Sequence, residues 1–153
     1  MFKPVIFPYA VALREGGKID VFPAAEIGFT AKNKKESYSF ILIVDSGATV
    51  SALPQSDAES LGVVAEDGIR MSVKGIGDET ISGWRHNLAI RLNGIKFRIP
   101  VVFLDKDSVP RVLGREGVFD NFMVMFDEQK HLSAFVPAKA KEAGLMRKIL
   151  RGK

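Results

Sequence analysis

The sequence has no cysteine, one tryptophan, two tyrosines and two histidines among its 153 residues. Without cysteine there is no disulfide framework, no thiolate nucleophile and no cysteine-built zinc site. His86 and His131 have no serine or acid at a suggestive spacing, and two histidines are too few for a metal centre; both read as surface residues. Long hydrophobic runs are also missing, since nothing approaches the ~20 apolar residues that span a bilayer. Met1-Phe2-Lys3-Pro4 and the Val5-Ile6-Phe7-Pro8 that follows are too short and too proline-interrupted for a secretory signal, so a cytoplasmic location is the default expectation.

The residues that are present describe a folding chain. A hydrophobic content of 46% excludes the disordered class, and the length suits one domain with a core of its own. The net charge of +4 is unevenly placed. Residues 137–153 hold six Lys or Arg against the single acid Glu142, which leaves residues 1–136 near neutrality. A basic tail is therefore expected rather than a basic nucleic-acid-binding face.

Alternation and turn chemistry give the elements. Residues 3–13 and 19–31 read as strands separated by Glu15-Gly16-Gly17-Lys18, and Ala25, Ile27 and Phe29 mark one buried face of the second. Leu53 to Gly62 reads as a short helix, with Pro54 in its first turn and Gly62 at its stop. Ile69–Val73 and Thr80–Trp84 flank a glycine-bearing tip, Lys74-Gly75-Ile76-Gly77-Asp78-Glu79, and predict a hairpin. Leu88–Leu92 and Lys96–Phe103 flank Asn93-Gly94, a strong two-residue hairpin signal. Strands at Phe122–Phe126 and Leu132–Val136 precede a helix over Ala138–Leu150, with Leu145, Ile149 and Leu150 on one side. Many short strands and two short helices make the class mostly β.

One stretch carries chemistry. Phe40-Ile41-Leu42-Ile43-Val44 runs into Asp45-Ser46-Gly47-Ala48-Thr49. The apolar run predicts a strand buried on both faces, with Asp45 where it leaves the sheet. A carboxylate at such a place is costly unless something uses or compensates it. Ser46 can donate and accept hydrogen bonds, and Gly47 permits close backbone approach. Alone, Asp-Ser-Gly is an ordinary turn tripeptide. Its weight comes from the strand before it, the glycine-tipped hairpin some 30 residues on, and Val112-Leu113-Gly114-Arg115 in the last third.

Ile43-Val44-Asp45-Ser46-Gly47-Ala48, the Gly75/Gly77 hairpin and Val112-Leu113-Gly114-Arg115, in that order, resemble the retropepsin-like aspartic proteases, the single-domain relatives of pepsin. The resemblance spans about residues 5–136. It implies a single-domain acid-protease-like β-barrel over residues 1–137, with residues 138–153 as a basic helical tail. By the same resemblance Asp45 is the catalytic acid, Ser46 knits the active-site loops through its hydroxyl, and Gly47 brings a backbone carbonyl to the substrate. Ala48, Thr49 and the flap residues Lys74, Gly75, Ile76 and Gly77 would bind peptide. Gly114 and Arg115 would begin a helix beneath the loop, with Arg115 paired inside the core. Thr49 stands where retroviral members commonly carry an acid, and Glu116 where they carry Asp or Asn; Thr49 is more like the non-viral relatives.

The chemistry of this family needs two carboxylates sharing one proton. The chain has one Asp-Ser-Gly; Asp78 lies in the hairpin tip, and Asp105, Asp107 and Asp127 lie at strand ends. The second carboxylate must then be Asp45 of another copy, which makes a two-fold homodimer a requirement. An endopeptidase acting on extended peptides is expected, with no cofactor, no metal and no nucleic-acid partner. Two other readings stand beside it: a non-catalytic dimerising or peptide-binding module of the same fold, and an unrelated enzyme using Asp45 as a metal ligand or phosphoryl acceptor. Against the last, strands do not alternate with long helices, and no second Asp follows two residues on.

Overall fold

Apolar residues two apart dominate the middle of the chain, and they close a barrel. The computed structural model describes residues 3–32, 36–75 and 77–152. In chain order the strands are β1 (Val5–Pro8), β2 (Ala10–Leu13), β3 (Ile19–Phe22), β4 (Ala24–Thr30), β5 (Ser37–Val44) and β6 (Ser51–Pro54). Helix α1 (Gln55–Ser60) follows, then β7 (Ile69–Lys74), β8 (Thr80–Leu92), β9 (Ile95–Leu104), β10 (Val112–Leu113), β11 (Phe122–Asp127), β12 (Leu132–Pro137) and helix α2 (Lys141–Leu150). The mostly-β expectation holds, with 51% strand against 15% helix.

Strands β4, β5, β10, β6, β9 and β8 lie side by side in that order, and β8 pairs back onto β4 through Gly28–Arg91 and Phe29–Ile90. Six strands thus form a ring, and β7 extends β8 beyond it. Ile27, Phe29, Leu42, Leu53, Ile90, Leu92, Ile99, Val101, Phe103 and Leu113 fill the interior from all six strands. Each such side chain contributes about 1.5–3 kcal/mol on burial. Asn93 and Gly94 both take positive φ, 49° and 78°, as the tight β8–β9 turn requires. A second sheet, β1-β12-β11, and a separate two-stranded ribbon, β2–β3, complete the architecture.

The structure differs from expectation at several points, each with a local cause. The first two predicted strands are each cut in two, at Tyr9 and at Pro23. Pro23 has no N–H to continue a ladder, and its carbonyl accepts from Val44 instead. Leu88–Leu92 is the far half of the 13-residue β8 rather than a new strand. Strand β5 is not buried on both faces: Leu42 and Val44 face the core, while Ile41, on the outer face of the barrel, is exposed. His86 is half-buried rather than a surface residue, its Nε2 2.8 Å from the Ala65 carbonyl, whereas His131 is exposed as expected and stacks on Tyr9. Helix α2 buries only Ala143, so its apolar Leu145, Ile149 and Leu150 face outward. Among the described residues no helix is long and apolar enough to cross a membrane.

One ion pair ties three elements around β5 and β10. The Arg111 guanidinium contacts both oxygens of the buried Asp57 on α1, at 2.7 and 2.8 Å, and lies 4.5 Å above the Phe40 ring of β5. The hydrogen bond to Asp57 holds the Arg111 pKa above its usual value. Removing the cation strands a buried carboxylate. Arg111→Ala is therefore expected to lower stability by about 1–3 kcal/mol, and Asp57→Ala combined with it to cost less than the two single changes summed. Urea unfolding of the three variants measures both.

Candidate active site

Strands β5 and β10 are parallel neighbours, with Ile43 beside Val112 and Val44 beside Leu113. Both strands therefore leave the sheet at the same end, and the loops after them meet. Four hydrogen bonds lace the two loops. Asp45 N donates to Leu113 O at 3.1 Å, Arg115 N to Ala48 O at 3.0 Å, and Glu116 N to Thr49 O at 2.8 Å. The fourth is buried: Gly114 N donates to Ser51 Oγ at 3.0 Å. The approach is so close that a Cβ on Gly114 would sit 2.5 Å from the Val50 carbonyl, and no other residue fits there.

Within this frame Asp45 forms an Asx turn. Its Oδ1 accepts from Gly47 N at 2.8 Å and Ala48 N at 3.2 Å. The carboxylate is thereby oriented by its own loop. Its Oδ2 accepts no hydrogen bond among the described residues, and Asp45 itself is exposed. The burial cost expected at the strand exit is absent in the isolated chain. What the chain presents is one aimed, solvent-facing carboxylate.

The sequence-derived residues fall into two groups. Asp45, Gly47, Ala48, Thr49, Gly114 and Arg115 are brought together by the lacing. Lys74, Gly75 and Gly77 lie at the exposed β7–β8 hairpin tip, where Gly75 N donates to Glu79 O at 3.0 Å and Glu79 pairs with Lys106 at 2.9 Å. Ile76 lies outside the described residues. No hydrogen bond joins the tip to the Asp45 loop among the described residues. The hairpin stem is nevertheless on the same side, since Met71, Val73 and Ile81 share a small apolar cluster with Val50, Ala52, Val102 and Leu104.

Two expectations need correction. The hydroxyl joining the loops is Ser51, not Ser46, which is exposed and forms no side-chain hydrogen bond among the described residues. Ser51 is buried at the start of β6, directly under Gly114, whereas Ser46 sits at the tip of the Asx turn. Arg115 is exposed and unpaired among the described residues, and residues 115–121 form successive turns rather than a helix. Inward positions of that run fall to Val118 and then Phe122 of β11, so Arg115 points away from the core. The guanidinium paired to a buried acid belongs to Arg111, four residues earlier. Glu116 has a use of its own, with its two carboxylate oxygens 2.6 and 3.3 Å from Arg85 of β8. The only cue to Ser51 was a lone hydroxyl in an otherwise apolar strand.

A surface depression of about 540 Å³ opens beside α1, between Gln55, Glu59, Glu66 and Asp107, away from Asp45. Among the described residues no group of three or more His, Asp or Glu side chains gathers as a cation cage.

Comparison with known proteins agrees with this geometry. A family model described as aspartyl protease matches residues 33–116, just over half of the chain and a span holding both laced loops. No curated protein matches the sequence. A retropepsin-like aspartic protease from Rickettsia conorii superposes with a TM-score of 0.54 at 18% identity, covering 86% of this chain and 89% of that one. The retroviral protease-like domain of Ddi1 from Leishmania major gives 0.49 at 19% identity over 76% and 97%. The EIAV protease, solved in complex with the inhibitor HBY-793, gives 0.46 at 17% over 68% and 88%. With a barrel of retropepsin-like fold and a family match enclosing Asp45 and Gly114, the chain belongs to the aspartyl protease family.

Proposed function

We propose that this chain is an aspartic endopeptidase that works as a homodimer, hydrolysing peptide bonds with a water held between the Asp45 carboxylates of two copies. The observation that carries the reading is the single oriented, exposed Asp45 carboxylate, pinned at Oδ1 and free at Oδ2. One such group is half of the required acid pair. A two-fold axis through the loop supplies the other half without any further sequence.

The chemistry follows from the shared proton. Two carboxylates within hydrogen-bonding reach hold one proton between them, because two adjacent charges repel. The ionised member takes a proton from the water, whose oxygen bonds to the peptide carbonyl carbon. The protonated member passes its proton to the carbonyl oxygen, giving a neutral tetrahedral diol. One diol hydroxyl then gives its proton to the ionised carboxylate as the C–N bond breaks, and the protonated carboxylate passes its proton to the amide nitrogen, which leaves as the amine. A single proton is left on the pair, as at the start. The proton belongs to the pair, so neither copy of Asp45 has a fixed role.

The other residues take supporting parts in this reading. Ser46 and Gly47 flank the acid, and Ala48 and Thr49 offer backbone to an extended substrate. The hairpin tip, with Lys74, Gly75, Ile76 and Gly77, closes over the peptide. Beneath it the apolar cluster around Val50, Met71, Val73 and Ile81 would meet apolar substrate side chains. Residues 1–137 form the protease body and residues 138–153 a basic tail. Gly114 and Ser51 act as positioning residues, since they hold the loop that carries Asp45.

Asp45→Asn is expected to lower kcat/KM for peptide cleavage by at least about a thousandfold while sedimentation still reports a folded dimer. Cleavage surviving in that variant would defeat the reading. No cleavage by the native chain or by the variant at any pH would favour a non-catalytic module. In the native chain the rate is expected to rise with the square of protein concentration below the dimer dissociation constant. Its pH profile should be bell-shaped, because the pair works only while it holds one proton. Ser51→Ala leaves the buried Gly114 N–H without an acceptor. It is expected to cost about 1–3 kcal/mol in stability and to lower kcat with little change in KM.

A further inference from the structure

The β2–β3 ribbon is built inside out. In the register Val11 opposite Val21 and Leu13 opposite Ile19, its large apolar side chains share one face. That face points to solvent: Val11 is 64% exposed, Leu13 80%, Ile19 65% and Val21 39%. The half-buried face carries Ala10, Ala12, Asp20 and Phe22 instead. A sheet that packs on its own body puts its larger apolar residues inward. Among the described residues the ribbon pairs with neither of the other sheets, so both of its outer edges offer backbone groups outside any ladder. A two-stranded hairpin of this kind is marginal in water by itself.

The ribbon is rooted at the candidate site. β3 passes through Pro23 into β4, Pro23 O accepts from Val44 N at 2.9 Å, and Val44 directly precedes Asp45. Phe22 at the ribbon's base lines one depression with Ile41 and Ile43 of β5, and Ile41 is itself exposed. Apolar surface therefore continues from the ribbon onto the strand that bears Asp45.

We propose that the outer face of the β2–β3 ribbon docks on a second copy of this chain, as an arm that fastens the dimer whose seam joins the two Asp45 loops. The occupant follows from position and size. This inference rests on the homodimeric reading above, in which the site is incomplete without a second copy. The four exposed ribbon side chains offer roughly 450 Å² per copy, about half of the ~800 Å² per partner that a standard interface buries. The Asp45 loops and the exposed part of β5 lie next to the ribbon's base and can supply the remainder. With two-fold symmetry the contact is made twice.

The test compares the native full-length chain with Leu13→Glu/Ile19→Glu and with Lys96→Glu, a surface control on β9. Sedimentation equilibrium gives the dimer dissociation constant, and peptide cleavage is assayed at the same concentrations. The ribbon variant is expected to dimerise at least about thirtyfold more weakly and to lose cleavage at low concentration. Raising the protein concentration should restore its activity, while the control behaves as the native chain. An unchanged dissociation constant, or a native chain that stays monomeric throughout, would overturn the proposal. Because the chain has no cysteine, Leu13→Cys provides a single thiol. Its maleimide labelling should slow as concentration rises through the dimer range, and a rate independent of concentration would also overturn the proposal. The two readings fail separately. A ribbon-dependent dimer without Asp45-dependent cleavage defeats the protease reading alone. Concentration- and Asp45-dependent cleavage with an unaffected ribbon variant defeats the ribbon proposal alone.

Discussion

Everything at the candidate site depends on two loops, some seventy residues apart in sequence, being held at contact distance. The parallel pairing of β5 with β10 brings them together, and the four hydrogen bonds across residues 45–51 and 113–116 fix their spacing. Parallel neighbours need a long crossover. Here the crossover runs from Asp45 to Arg111 and contains β6, α1 and the β7–β8–β9 sheet. The barrel is thus the means by which one loop reaches the other. Gly114 sets the limit of the approach, because the Val50 carbonyl already occupies the space a side chain would need.

A carboxylate oriented by its own loop but open to water is chemically ordinary. Two backbone amides fix its direction, and solvent satisfies the other oxygen. Its distinctive chemistry begins only when a second charge of the same sign is forced close to it and water is excluded. Both conditions are properties of an assembly. In the proposed dimer the same association that forms the acid pair would cover the ribbon's apolar face and the exposed part of β5, so that hydrophobic burial offsets the repulsion between the two acids.

The sequence reveals the parts of this site whose chemistry is local. Asp45-Ser46-Gly47, Asn93-Gly94 and the apolar run before Gly114 each stand out because a turn type or close approach restricts the residues allowed. Ser51 and Arg111 do not stand out, since their partners, Gly114 and Asp57, lie 63 and 54 residues away. A serine in an apolar strand and an arginine before one look unremarkable until the fold sets a donor or a buried acid beside them. The placing of the buried pair at Arg115 rather than Arg111 has this cause. The mostly-β class and most of the strands were legible because alternation is read within a single strand; β6 was not, since its Leu53 and Pro54 read as the start of a helix. Where strands end was less so, because the breaks at Tyr9 and Pro23 come from which neighbour takes the backbone bonds.

The ribbon shows how the same limit bears on function. Val11, Leu13, Ile19 and Val21 alternate as any core-facing strand would, and periodicity alone assigns them to an interior. Periodicity identifies a face that must be covered but not the molecule that covers it. In this chain the body covers the alanine face and leaves the other to water. A pattern fit for burial, left unburied and rooted at Pro23, whose carbonyl accepts from Val44 N, leads toward Asp45 and a second copy of the chain. Pattern and chemistry then give one answer from independent starting points: the strand pattern lacks a covering surface, the acid lacks a twin, and a two-fold partner provides both.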